Sequence, residues 1–136
     1  VSYGVSAALQ TAIFQRLQAD TALEAVVGDA IYDAVPSGSL PATYVTLGEE
    51  TTRDRSDQDG GGAWHDLIIS VISESSGFAI AKAAAVAVSD ALLDTPPVLT
   101  RGRIVGLWFQ RAQARRVGSG GQRRIDLRFR AQTEDN

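Results

Sequence analysis

The sequence predicts an α+β fold, a two-layer sandwich in which a mainly antiparallel sheet of about five strands carries two main helices on one face. Three observations carry that expectation. Trp64 to Ser73, WHDLIISVIS, is apolar at Leu67, Ile68, Ile69, Val71 and Ile72 and largely β-branched, the pattern of a strand covered on both faces near the middle of a sheet. Directly after it, Ser75-Ser76-Gly77 breaks the strand, and from Phe78 to Leu93 the apolar period changes from two to about 3.6. Ile80, Ala84, Val88 and Leu92 then stand four apart, a stripe expected to face the strand. At the far end, Ile125, Leu127, Phe129 and Ala131 alternate with Arg124, Asp126, Arg128 and Arg130, so that this last strand has one core face and one polar face.

The remaining elements follow in chain order. Ser6 to Ala19 reads as a first helix, with Ser6 as cap, Leu9, Ile13 and Leu17 four apart, and Ala12 and Phe14 widening the stripe. Asp20 and Thr21, with Glu24 three residues after Thr21, start a second short helical stretch through Val27, and Gly28 ends it. The two together are expected to form one kinked arm. Ala30 to Val35 is a short strand, Pro36-Ser37-Gly38 a turn, and Tyr44 to Leu47 the next strand. Gly48 to Gly62, almost without apolar residues, reads as a long loop, and loops of that length inside compact domains tend to be functional. Its plainer reading is a solvated hairpin tip. Asp94-Thr95-Pro96-Pro97 stops the long helix, and Val98-Leu99 is a candidate for brief pairing. Arg103 to Ala114, with Ile104, Val105, Leu107, Trp108 and Phe109, is the densest aromatic strand and is expected to be central. Arg115 to Gly121 reads as a flexible hairpin loop before the last strand.

At 136 residues the chain has the size of one domain, and no repeat or boundary divides residues 1–136. A chain this long buries roughly two-thirds of its unfolded surface, enough for one core. Its 44% hydrophobic and 21% charged residues exclude disorder. No apolar run approaches the ~20 residues of a membrane span, and no basic-then-apolar start reads as a secretory leader. Without Cys there is neither a disulfide framework nor a thiolate metal site, a composition compatible with the cytosol. The formal net charge of −3 argues against nucleic-acid binding by the molecule as a whole. Its distribution is uneven: of twelve Arg most follow position 100, while acidic residues dominate Glu49 to Asp59. Arg in place of Lys suits planar pairing with carboxylates at interfaces, although it is also what a GC-rich coding sequence yields.

Enzyme signatures are nearly absent. His65, the single histidine, sits beside Asp66 on the central strand, where neighbouring side chains point to opposite faces, so the two do not make a dyad. One His without Cys also leaves a transition-metal site to carboxylates alone. Asp54, Asp57 and Asp59 before Gly60 superficially resemble a calcium loop, but the twelfth-position Glu and the flanking helices are missing. Gly60-Gly61-Gly62 and Gly118-Ser119-Gly120-Gly121 lead into strands, unlike phosphate-binding glycine loops that open a helix. No catalytic, cofactor-binding or metal-ligating residue is therefore assigned. What remains is a surface for assembly. An acidic loop and an Arg-rich hairpin on one small domain suit head-to-tail pairing between neighbours, which closes into a ring when the rotation permits. The candidate interface residues are Glu49, Glu50, Arg53, Asp54, Arg55, Asp57 and Asp59 on the first, and Arg111, Arg115, Arg116, Arg123 and Arg124 on the second. The plain alternative is a monomer whose charges are only solvated.

The order of segments adds a resemblance. ALQTAIFQRLQAD, LEAVVGDAIYDAVPSG, LPATYVTLGEETTRD, the HDLIISV strand, the AIAKAAAVAVSDALLD helix and the closing RRIDLRFRA strand resemble small tail-completion proteins, and more closely the tail terminators of gene transfer agents and siphophage-like particles. GDAIYDAVP followed by YVTLGEE at this spacing is the most specific combination, and the resemblance covers nearly the whole chain. It implies an α+β subunit of a homohexameric ring that caps the tail tube protein and joins it to the head-side connector or stopper protein, leaving an axial channel through which DNA passes without sequence-specific binding. It also implies assembly in the bacterial cytoplasm, a place at the head-proximal end of the tail in the released particle, no membrane, no catalytic residue and no cofactor. A lumen that passes DNA without holding it favours negative or neutral lining, which the acidic balance fits. Rival readings are a head–tail connector or minor tail protein of the same particle, a small ligand-binding domain or enzyme built on His65, Trp64 and the Asp-rich loop, and a DNA-binding module using Arg115, Arg116, Arg123 and Arg124.

Overall fold

The computed structural model of the chain describes residues 3–54, 62–75, 77–118 and 121–135. In chain order they form α1 (Ser6–Ala19), α2 (Thr21–Val27), β1 (Ile31–Tyr32), β2 (Thr43–Asp54), β3 (Gly62–Ser73), α3 (Ala79–Asp94), β4 (Arg103–Val117) and β5 (Gln122–Glu134). The strands make a mixed sheet in the order β1-β2-β3-β5-β4, with β1 parallel to β2 and the other neighbours antiparallel. This is the expected α+β sandwich.

The core is a ladder on one face of the sheet. Leu67, Ile69 and Val71 of β3 lie directly opposite Phe129, Leu127 and Ile125 of β5, and Ile69 and Val71 also lie opposite Leu47 and Val45 of β2. Alternation sends all of them to the side where the helices pack, and Val45, Val71 and Phe129 have no exposed surface at all. Ala84, Val88 and Leu92 of α3 are also fully buried, whereas Ile80 is 45% exposed and Ala81 takes its place. Four-residue steps cause this, because each overshoots a turn by about 40°, and three of them drift by about 120°. The true stripe mixes threes and fours.

Local signals explain the ends of elements. Asp20 stays extended and its carboxylate accepts the Leu23 amide at 2.9 Å, so it caps α2 and divides the helical arm as the sequence indicates. Gly28, at φ 64°, closes α2 in a conformation that a side chain would disfavour. Ser6 is not a cap: Val5 occupies that position, and the Ser6 hydroxyl instead donates to Glu50 Oε1 at 2.8 Å.

Five strand and loop readings are corrected. The short strand covers only Ile31–Tyr32, and Val98-Leu99 joins no strand, Leu99 packing instead against the core. The first part of the long polar loop is ladder: Glu50 to Asp54 pair with Leu67 to Ala63, so trimming from Thr52 onward would shorten the sheet. The Arg-rich loop shrinks in the same way, because β4 and β5 stay paired to Val117 and Gln122. Backbone hydrogen bonds hold polar strands as well as apolar ones, and hydropathy does not report them. Finally, β4 is an edge strand rather than a central one, with Val105, Trp108 and Phe109 each nearly half exposed.

Ile69→Asp is expected to abolish folding, since the carboxylate would be buried between Leu47 and Leu127 without a partner. Circular dichroism of the soluble fraction checks this, and a folded variant would contradict the placement of β3.

Candidate assembly surfaces

The site residues sort by which face of the sheet they reach, and one backbone irregularity decides it for Glu49 and Glu50. Between Leu47 and Glu50 the β2–β3 register shifts, β2 advancing three residues while β3 advances two. The extra residue is a bulge, and it reverses the side on which later β2 side chains emerge. Gly48 sits within it, where a Cβ would stand 3.0 Å from the Ile68 carbonyl oxygen. Glu50 is thereby turned to the helix side and Glu49 left exposed. His65, fully buried, places Nδ1 3.1 Å from Glu50 Oε2 and 3.3 Å from the Thr52 hydroxyl, with Nε2 2.9 Å from Thr133 Oγ1. An ionised Glu50 only accepts, so Nδ1 carries a proton toward it. Ser6 and, at 3.4 Å, the Tyr3 hydroxyl donate to the other oxygen. Glu50 and His65 therefore tie the start of α1 to the sheet, and Glu50 is not a free interface carboxylate.

Asp66 points the other way, as expected, onto the face without helices. It accepts from Arg130 Nε at 2.9 Å and lies 3.6 Å from Arg53, while the Arg130 guanidinium sits 5.6 Å from the Trp64 ring centre. Trp64 and Trp108 pair at 6.1 Å. Further along this face Asp126 accepts from Arg124 at 2.9 Å and from Ser70 at 2.6 Å and lies 3.3 Å from Arg115. Burial raises the Asp126 carboxyl, but hydrogen bonds from Ser70 and Arg124 and the charges of Arg124 and Arg115 together outweigh it and hold it below the ordinary value.

Of the other candidates, Arg111 and Arg116 are exposed on β4. Arg123 lies over the Phe78 ring at 5.3 Å and donates to the Gly121 carbonyl. Asp54 ends β2 opposite Ala63, whereas Arg55, Asp57 and Asp59 lie outside the described residues, so the acidic tip and the calcium-like spacing are not placed. The β2–β3 and β4–β5 hairpins leave the sheet at opposite ends. Arg53 is opposite Trp64 and Arg124 opposite Ile72, a separation along β3 of roughly 26 Å at ~3.3 Å per residue. Two features escape the sequence: Arg128, which faces Arg111 but stands in the chain only as one member of an alternation, and the acidic cleft of Asp20, Asp90 and Asp94, because Asp20 lies 70 and 74 residues before the other two.

No group of three or more His, Cys, Asp or Glu side chains among the described residues is placed to hold a metal. No described helix is long and apolar enough to cross a membrane. Two hairpins that leave one sheet at opposite ends and a charged sheet face without helices are surfaces of the kind that a structural assembly protein uses. The profile of the tail completion protein gp17 family matches residues 11–134, and the chain belongs to that family of structural phage-tail proteins. Among solved structures, a chain of the virion of native gene transfer agent particle is 60% identical, with a TM-score of 0.92 over 98% of this chain and 99% of that one. No curated protein matches the chain.

The Glu50 carboxyl is held below its ordinary value of 4.5, first by the His65 hydrogen bond, against burial and with help from Ser6 and Tyr3. A depressed carboxyl stabilises the fold above its unfolded value and loses that contribution as pH falls through the folded one. Urea unfolding of Glu50→Gln should therefore show lower stability at neutral pH and a shallower decline below about pH 5 than the parent. Parallel curves would detach Glu50 from acid stability.

Proposed function

We propose that this protein is a tail terminator, a ring-forming subunit that closes the tail tube and joins it to the head-side connector, with a channel for DNA. The observation that supports this best is the near full-length likeness to a chain of a gene transfer agent virion, together with membership of the tail completion family. Hairpins leaving one sheet at opposite ends suit a subunit that must contact a neighbour on each side, because a closed ring is built from heterologous contacts repeated around an axis. Six subunits is the number implied by the terminator resemblance. In this reading Glu49, Arg53 and Asp54, with Arg55, Asp57 and Asp59 beyond them, serve one contact and the Arg111 to Arg124 ribbon another, while Glu50 serves the subunit's own fold.

The test is capping. Purified protein added to tails that lack it should appear in negative stain as a plug at one end and should restore joining to heads. Light scattering of the assembled species should give six subunit masses. Tails that join heads equally well without the protein would refute the reading. Within this frame, neutralising Arg55, Asp57 and Asp59 together should leave thermal unfolding within about 0.5 kcal/mol of the parent while lowering the fraction of joined particles. Unchanged joining would remove that segment from the contact.

A further inference from the structure

The register of β4 on β5 places like charges against each other three times. Arg111 is opposite Arg128, Arg115 opposite Arg124, and Arg116 opposite Arg123. Like charges directly opposite across an antiparallel pair are destabilising. The middle pair is answered within the molecule, because Asp126 lies 2.9 Å from Arg124 and 3.3 Å from Arg115. For Arg111 with Arg128 and Arg116 with Arg123, no described carboxylate lies within ion-pair distance. Arg111 and Arg128 flank a small depression of about 120 Å³ whose own carboxylate, Asp126, is already engaged. A bulge between Phe109 and Arg111 brings this about, since it returns Arg111 to the open face beside Arg128. The ribbon is thus built with cation pairs that no described carboxylate of its own subunit answers.

The same subunit carries the complementary charge elsewhere. Between the α1–α2 junction and the last turn of α3 lies an open cleft of about 820 Å³ whose walls include Asp20, Asp90 and Asp94. Arg16 is the cation on its wall, and it is turned onto the carbonyls of Ala91, at 3.0 Å, and Thr95. Asp90 and Asp94 are exposed and make no ion pair among the described residues. The negative end of α3 adds to the same field. Arg123 contacts Phe78 at the opposite end of α3, so helix length alone keeps ribbon and cleft about 24 Å apart within one subunit.

We infer that the Arg-paired β4–β5 ribbon docks into the Asp20, Asp90 and Asp94 cleft of a second copy of this chain, head to tail. This rests on the terminator reading for the ring in which the contact would repeat, and it deepens that reading by naming both halves. Three features favour a protein partner over nucleic acid. Val105, Trp108 and Phe109 lie nearly half exposed on the same strand, and aromatic residues with Arg are the composition of a protein interface core. The outer edge of β4 has unpaired backbone groups, a surface that chains normally cover. The whole subunit is also formally negative, by −3, which opposes approach to DNA.

Charge reversal tests the inference. Arg111→Glu with Arg128→Glu reverses the ribbon, Asp90→Arg with Asp94→Arg reverses the cleft, and all four changes together make each surface the complement of the other again. Sedimentation of the full chain over a range of concentrations should show self-association weakened about tenfold or more by either double variant. Association should return in the fourfold variant and in an equimolar mixture of the two doubles. Circular dichroism keeps loss of folding separate. Doubles that associate like the parent, a fourfold variant that does not recover, or a parent that is monomeric throughout would each overturn the contact. Steeply salt-dependent binding of a DNA duplex, lost with Arg111→Glu and Arg128→Glu while self-association persists, would also overturn it by assigning the ribbon to phosphates. The two readings fail separately: protein that caps tails without this charge dependence defeats the contact alone, and protein that associates with rescue but never caps tails defeats the terminator alone.

Discussion

Everything in this subunit depends on the helices packing against one face of the sheet. Leu67, Ile69 and Val71 stand opposite Phe129, Leu127 and Ile125 beneath α3, and each such side chain fully buried is worth about 1.5–3 kcal/mol. On the other face the ion pairs of Asp66 and Asp126 are partly exposed, and pairs of that kind contribute ~0–1 kcal/mol each. Most of the stability therefore comes from the helix side of β3 and β5, with Ile72 and Tyr44 the buried apolar residues on the other. The other side is left free to carry charge arrangements, including opposed guanidiniums, that would be ruinous in a core.

The bulges decide which residues belong to which side. One extra residue in β2 moves Glu50 from the open face to the helix face, where it meets Ser6 and His65, and leaves Glu49 outside. In β4, irregularities between Ile104 and Gly106 and between Phe109 and Arg111 make the edge strand uneven and set Arg111 against Arg128. Bulges also twist an edge, which discourages indiscriminate strand addition. An edge so shaped and rich in Arg is less open to simple ladder extension and favours a partner that also answers its side chains.

How much of this was legible in the sequence follows from the same physics. The central position of β3, the alternation of β5, the α2 cap at Asp20 and the order of elements were readable, because burial imposes periodicity and caps impose residue type. The lengths of β2 and β4 were not, because Glu50 to Asp54 and Arg115 to Val117 are held by backbone ladders that ask nothing of hydropathy. The edge position of β4 was hidden for a different reason. Ile104, Leu107 and Phe109 do face the core side, but Val105 and Trp108 are apolar residues placed on a surface, and a sequence does not distinguish a core from an interface. Likewise Asp20, Asp90 and Asp94 meet only once α1 and α3 have packed.

On the proposed head-to-tail contact, weakness has a consequence for assembly. A joint made of exposed Arg and carboxylate side chains around a few half-buried aromatics holds two subunits only loosely, since association must first offset several kcal/mol of lost translational and rotational freedom. The last subunit of a ring makes two such joints while losing that freedom once, so closure is favoured over open chains by about the worth of one whole joint. A surface that already fixes several subunits, such as the end of a tube, lowers the cost for every joint in the same way. A charged ribbon and an acidic cleft at opposite ends of one α3 helix therefore suit a protein that associates weakly and reversibly on its own and closes as a unit where an end is presented.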